Sequence, residues 1–287
     1  MENDGKTVLR KRFCDYMVLR GLSESTQESY LRAVVELVRY YRRSPEQLSN
    51  TEIQSYLLHL IRDRKIAWST CNIAYAGLRV FYRDVLGWDQ TRFSIPPRVG
   101  QTRRPQVLSL QEVERLLQAA SSLRDRALLM TTYSAGLRVS EVVRLKPTDI
   151  ESDRMLIRVE QAKGRKDRYT LLAERALTEL RAYWRDYRPG QWLFARRDHT
   201  APLSISAAQR IYGKTRTTAG INHGQGIHSL RHAFATHLLE AGVDVMTIKQ
   251  WMGHNNLKTT AGYLQVASNR RATVKSPLHT LSLPSAP

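Results

Sequence analysis

Cysteine is nearly absent: the 287 residues contain two, Cys14 and Cys71, and neither stands in a CxxC or other metal-ligand spacing. That excludes a disulfide framework and a structural zinc signature. No run of 18 apolar residues occurs, so no segment has the composition of a membrane-spanning helix. The first residues, Met1 to Lys6, are polar and partly acidic, unlike a secretory signal. A cytoplasmic location, in a bacterial cytoplasm or with its nucleoid, is expected. The GxxxxGK[ST] loop that cradles nucleotide phosphates is also missing. Acidic residues stop early: none follows Asp244, whereas Lys249, Lys258, Arg270, Arg271 and Lys275 do.

What is present in excess is positive charge. The formal net charge is +19 and the pI about 10.3, a balance suited to a polyanionic partner such as nucleic acid. Residues 1–100 carry 16 Lys/Arg against 11 Asp/Glu, and residues 101–287 carry 29 against 15, so the excess is mainly C-terminal. With 42% hydrophobic residues, the chain is long enough for two domains with separate cores.

The first hundred residues show helical periodicity and no convincing strand. Helices are predicted over 7–20, 24–42 (apolar face Tyr30, Leu31, Val34, Val35, Leu37, Val38 and Tyr41), after a capping box at Ser49 and Glu52, and over 69–86, ending at Gly87. Between Ser94 and Pro105 three prolines and Gly100 break the pattern while Arg98, Arg103 and Arg104 add charge, which reads as a basic linker. A second capping box, Ser109 with Glu112, opens a helix expected to run to Gly136, followed by a short helix over 139–145. Met155, Ile157 and Val159 then alternate, as do Tyr169 and Leu171, around a basic turn at Lys163 to Asp167: a β-hairpin. Helices return over 174–187, 204–219, 228–241, 244–252 and 256–265. The expected fold is mainly α with a small β-sheet (α+β), divided into a helical domain 1–93, a linker 94–105, a second domain 106–274 and a flexible tail 275–287.

Separated segments of the second domain hold the residue types that phosphoryl transfer needs. Gly136-Leu137-Arg138 places an arginine at a helix start, and Lys163 lies at the hairpin. His228 and Arg231 are three apart and share a helical face opposite Leu230, Phe234, Leu238 and Ala241. His254 and Tyr263 complete the set. Two arginine forks can clamp the non-bridging oxygens of a phosphodiester. A tyrosine becomes a nucleophile once hydrogen bonds and nearby positive charge favour its phenolate, and a lysine or histidine can protonate the departing oxygen.

These segments, Gly136-Leu137-Arg138-Val139-Ser140-Glu141, Lys163-Gly164-Arg165-Lys166-Asp167-Arg168, His228-Ser229-Leu230-Arg231-His232, Met252-Gly253-His254, Thr259-Thr260 and Tyr263, resemble those of the tyrosine recombinase family, most closely its Xer-like and integrase members, in order and approximate spacing. The resemblance implies a core-binding domain followed by a catalytic domain, a site-specific DNA recombinase or integrase acting through a 3′-phosphotyrosyl intermediate, and assembly as a homotetramer on two duplex DNA sites. It assigns Arg138 and Arg231 to the phosphate clamp, Lys163 as general acid, His228 to proton transfer, His254 to a hydrogen bond with the phosphate and Tyr263 as nucleophile. Glu141 supports the first arginine. Arg98, Arg103, Arg104, Arg165 and Lys166 are candidate DNA contacts, and no cofactor, metal or ATP is expected. One departure is Trp251, where family members commonly carry an aliphatic residue. Integration, excision, dimer resolution and transposition stay open.

Competing readings attach to single residues. Taken alone, Tyr263 suits a packed tyrosine, and His232 and His237 suit structural or surface roles. His228 and His232, four apart, have the spacing of metal ligands, but Ser229 stands where a metalloprotease helix carries glutamate. Two other functions share the chemistry or scaffold: a type IB topoisomerase, and a DNA-binding protein without catalysis, against which the intact residue set argues.

Overall fold

The structure, a computed structural model, describes residues 2–97, 106–162, 166–196, 198–254, 260 and 263. The chain divides into two compact units, Met1–Thr102 and Arg103–Pro287, each with its own apolar core. Among the described residues no helix is long and apolar enough to cross a membrane.

The first unit contains α1 (Glu2–Leu19), α2 (Glu24–Tyr41), α3 (Asn50–Arg62) and α4 (Trp68–Val80), matching the four periodic stretches. At the start of α3 the Glu52 backbone N–H donates to Ser49 Oγ, and the Ser49 N–H donates to Glu52 Oε2 at 2.9 Å, so two of the helix's unpaired donors are satisfied reciprocally. Ile53, Tyr56, Leu57 and Leu60 are buried on its inner face against Phe13, Met17, Leu37 and Leu78. The fourth helix is not uniform to Gly87. From Phe81 to Val85 it widens into a π turn, the Leu86 N–H reaching the Phe81 carbonyl at 3.0 Å, and Phe81, Tyr82 and Val85 are all buried there. Residues expected to begin the linker stay with this unit: Ser94 N–H donates to Gln54 Oε1 and Trp68 Nε1–H to the Pro96 carbonyl.

The second unit opens with α5 (Leu110–Gln118), capped by Ser109 and Glu112 as expected. The helix does not continue to Gly136. Ser122 Oγ accepts from the Asp125 N–H at 3.1 Å, and this N-cap starts α6 (Leu123–Ser134) afresh. A short α7 (Val139–Val142) follows. Strands β1 (Ile150–Glu151), β2 (Leu156–Ala162) and β3 (Lys166–Leu171) form an antiparallel sheet in that order. The hairpin was expected and β1 was not, since two residues are too few to show alternation. Leu156 lies opposite Leu171 and Val159 opposite Arg168, with an irregularity between Val159 and Ala162. Then come α8 (Glu174–Tyr187), α9 (Ile205–Thr218), α10 (His228–Glu240) and α11 (Val245–Met252). Of the helix expected over 256–265, Thr260 and Tyr263 are described and both are helical; the tail 275–287 lies outside the described residues.

Two local features fix how the elements meet. Gly136 sits at φ +60, and a Cβ there would come within 2.3 Å of the Phe234 ring. A glycine is needed both for the left-handed turn between α6 and α7 and for the close approach of α10. Glu141 ties β3 to α7: its two oxygens accept from Arg168 Nη1 and Nη2 at 2.8 and 2.9 Å, and Oε2 also accepts from the Arg138 backbone N–H at 2.8 Å. Burial alone would push this carboxyl up, but the hydrogen bonds and charge of Arg168, with Arg138, outweigh it and hold Glu141 at about 2.

Gly136→Ala should destabilise the second unit by about 1–2 kcal/mol from the left-handed backbone alone, with the Phe234 clash adding to this. Thermal denaturation should show a lower Tm, and an unchanged Tm would contradict the packing described. For Glu141 the folded-state value lies below the ordinary 4.5. Its contribution is therefore complete above about pH 4.5 and fades as pH falls towards 2. Glu141→Gln should lose stability at neutral pH and show a flatter Tm profile across that acid window than the parent chain.

Candidate active site

Three arginines from three elements converge on the C-terminus of α11. Its last carbonyls lack partners within the helix, and consecutive ones each accept from a different guanidinium: Trp251 from Arg168 Nε at 2.8 Å, Met252 from Arg231 Nη2 at 2.6 Å and Gly253 from Arg138 Nη2 at 3.0 Å. Cations at a helix C-terminus also suit the negative end of its dipole. Glu141 is the shared counter-charge, bonded to Arg138 Nη1 at 2.6 Å and bidentate with Arg168, with Arg231 at 3.7 Å. Gly253 permits the approach, because a Cβ there would lie 2.8 Å from Arg168 Cδ. Arg138 caps α7. Arg231, only 2% exposed, also donates to the Gly136 carbonyl.

Each guanidinium has five N–H donors. Arg138 and Arg231 each spend two of them on the protein partners named, and Arg168 spends three. The first two thus keep donors for an anion, whereas Arg168 is mostly committed to holding the cradle. Burial, and then the charge of Arg138, draw Arg231 down to about 9, which leaves it cationic at neutral pH.

Beside the arginines lies a group of aromatic rings. Tyr263 is 7% exposed and packs with Phe234, Ile248 and Met252. Its hydroxyl is 2.9 Å from His232 Nδ1. The His254 ring lies nearly parallel to that of Tyr263, with centroids 6.3 Å apart, and its Nδ1 pairs with Thr260 Oγ1 at 2.8 Å. The His228 ring stands perpendicular to that of His232 at 5.6 Å. Burial lowers all three imidazoles, reinforced by Arg231 and by neighbouring imidazoles or Arg138: His232 and His254 fall to about 4, and His228 shifts in the same direction. They are neutral at physiological pH. Tyr263 departs from expectation. Arg231 and Arg138 do favour its phenolate, but burial outweighs them and raises it above its ordinary value of 10, so the hydroxyl here is a neutral phenol.

Arg138, Glu141, His228, Arg231, His254 and Tyr263 are therefore brought together from segments far apart in sequence. Lys163, Arg165, Arg98, Arg103 and Arg104 lie outside the described residues. Lys166 begins β3, and its side chain lies outside them too. Two members were not singled out from sequence. The sequence suits His232 to a structural or surface role and gives Arg168 none. The one available signal for His232 is its position next to Arg231; Arg168 carries none, because its place opposite Val159 follows from the strand register. Trp251 keeps its carbonyl in the cradle while its ring packs at the edge of the core that contains Tyr263. Among the described residues no three His, Cys, Asp or Glu are grouped to hold a metal ion.

Residues 106–270 match the phage integrase family, and residues 9–92 match the N-terminal SAM-like domain of phage integrases. The y4qK protein of Sinorhizobium fredii is 41% identical over 279 residues, covering 97% of this chain and 91% of that protein. The tyrosine recombinase XerA of Thermococcus kodakarensis is 34% identical over 284 residues, 93% of this chain and 95% of the relative. Among solved structures, a lambda integrase dimer bound to a COC′ core site shares the fold with a TM-score of 0.70 at 19% identity, over 94% of this chain and 79% of that one. The arginine cradle with its adjoining tyrosine lies in the unit that matches the phage integrase family, the helical unit matches that family's N-terminal domain, and the chain belongs to the phage integrase family of tyrosine recombinases.

Proposed function

We propose that the protein is a site-specific recombinase that cuts and rejoins duplex DNA through a 3′-phosphotyrosyl bond on Tyr263, without a metal ion or ATP. The observation that carries this is the convergence of Arg138 and Arg231, both with unspent donors, beside the Tyr263 hydroxyl. The two guanidiniums clamp the non-bridging oxygens and stabilise the charge that develops as phosphorus becomes five-coordinate. Lys163 is assigned as the acid for the departing 5′ oxygen, His228 to proton transfer and His254, through its free ring nitrogen, to the phosphate. Glu141 holds Arg138 in its working position. The phosphotyrosyl bond retains the energy of the broken phosphodiester, so rejoining needs no nucleotide.

The same reading gives the N-terminal unit, through residue 93, a core-binding role on the duplex. The connector 94–105 supplies Arg98, Arg103 and Arg104 to phosphates, and the hairpin supplies Arg165 and Lys166. Domain 106–274 performs catalysis, and four protomers pair two DNA sites. Duplex DNA as the partner is supported by solved structures of the same fold, XerH bound to its palindromic difH substrate and a lambda integrase dimer bound to a COC′ core site.

A duplex selected for tight binding from a random-sequence library, then nicked at successive positions, provides a suicide substrate that traps the covalent complex. The full chain should form a protein–DNA adduct, and Tyr263→Phe should bind the same duplex without forming one; an adduct that persists in the Phe variant would falsify the assignment. In single-turnover assays Arg138→Ala should lose roughly 10²–10³-fold in cleavage, with binding changed far less. Arg231→Ala should lose cleavage and more thermal stability than Arg138→Ala, because it leaves the fully buried Gly136 and Met252 carbonyls without their donor, whereas Arg138 serves the half-buried Gly253 carbonyl.

A further inference from the structure

Resting on the assignment of Tyr263 as nucleophile, we propose that His232 is a further catalytic residue, which orients the Tyr263 hydroxyl and takes its proton as the bond to phosphorus forms. Two imidazoles, His232 and His254, lie against this tyrosine, a third, His228, lies against His232, and they present themselves differently. His254 offers its ring face to the Tyr263 ring and has Nδ1 engaged by Thr260. His228 meets His232 edge to face. His232 places a ring nitrogen at the reacting oxygen, 2.9 Å away.

The direction of that hydrogen bond depends on the charge and tautomer of the ring. His232 is packed among His228 and Arg231 of its own helix, Tyr263 from the segment after α11, and His254 beyond Tyr263. Burial first, then His228 and Arg231, draw the ring down to about 4. At neutral pH it is uncharged. With the proton on Nε2, its Nδ1 accepts and the phenol donates. The tyrosine proton then points at His232, which leaves the lone pairs of Oη clear for attack. A protonated His232 would instead donate to Oη and tie up one of those pairs.

In the step itself the Tyr263 O–H bond breaks and its proton passes to His232 Nδ1. Oη forms its bond to phosphorus, the bond from phosphorus to the 5′ oxygen breaks, and that oxygen is protonated by the group assigned as acid, Lys163. On rejoining, the imidazolium returns the proton to Oη as tyrosine leaves. The low basicity of His232 in the free protein suits an acceptor that must not be charged prematurely. A scissile phosphate clamped by Arg231 brings a negative charge next to the cation that depresses His232, and so raises its affinity for a proton when transfer is required.

The full-length chain and the nicked duplex described above provide the test. His232→Ala should cleave roughly 10²-fold more slowly at pH 7, and its rate should rise with pH in proportion to hydroxide, while the parent chain stays nearly flat between pH 6 and 9. His232→Gln keeps a hydrogen-bond acceptor but cannot take a proton, so it should bind DNA normally, resist heat normally and show the same steep profile. A 5′-bridging phosphorothiolate at the cut position, whose leaving group needs no acid, should rescue Lys163→Ala and leave His232→Ala and His232→Gln slow. Nitrogen-15 imidazole spectra of the unsubstituted chain should show His232 as the Nε2–H tautomer, with an Nδ1 signal that shifts in Tyr263→Phe. Variants that keep the parental pH profile, variants rescued by the phosphorothiolate, or an Nδ1–H tautomer in the parent chain would each overturn the role of His232. A parent chain that forms no adduct on Tyr263 would instead overturn the reading on which it rests.

Discussion

Three buried or half-buried guanidiniums that share one carboxylate and one helix end are the constraint on which the second unit depends. Arg138, Arg168 and Arg231 would repel one another if gathered without compensation, and taking each out of water is costly. Glu141 and the carbonyls of Trp251, Met252 and Gly253 offset that cost by satisfying donors that water would otherwise hold. The arrangement also couples elements. α7 is fixed to α11 by Arg138, β3 to both by Arg168, and α10 to the Gly136 turn and to α11 by Arg231. One carboxylate against three guanidiniums leaves positive charge in excess at this corner. The stability of this corner and its attraction for an anion thus have one origin.

That arrangement also explains why arginine stands at these positions. Each guanidinium must reach a fixed carbonyl and, for Arg138 and Arg168, a carboxylate, and a clamp must still have donors left over. A planar fork with five N–H groups can do this, whereas an ammonium on a flexible stem cannot hold two directions at once. Arg168 shows the limit of the same logic. With both oxygens of Glu141 and the Trp251 carbonyl engaged, it positions the other two arginines through Glu141.

How much of this was legible in the sequence depended on whether the cause was local. The capping boxes at Ser49 and Ser109 announced α3 and α5 because the pairing residues lie three apart. The periodicity of Ile53, Tyr56, Leu57 and Leu60 announced the buried face. The break before Ser122 was missed because a good N-cap inside an apolar run looks like an ordinary polar position. The π turn at Phe81 answers to core packing, which leaves no periodic trace over five residues. In the site, Arg138, His228, Arg231, His254 and Tyr263 were legible as a spaced set. Arg168 was not, since nothing local separates an arginine that will pair with a distant carboxylate from one that will face solvent.

The charge state of Tyr263 shows the same boundary and bears directly on mechanism. Counting nearby cations suggests a phenolate, yet the ring is held within Phe234, Ile248 and Met252, and desolvation outweighs the attraction of Arg231 and Arg138. Under the proposed mechanism, a permanently ionised tyrosine in this pocket would add a negative charge facing the phosphate to be attacked, and would compete with that phosphate for the same guanidiniums. A neutral phenol leaves the arginines free to take the anion. Its proton needs a destination only once phosphorus is engaged, and the neutral nitrogen at 2.9 Å on His232 is placed to be that destination. In that mechanism, the burial that makes Tyr263 a weak nucleophile in the free protein would confine its activation to the occupied site, where the bound phosphate changes the balance of charge around both the tyrosine and its neighbour.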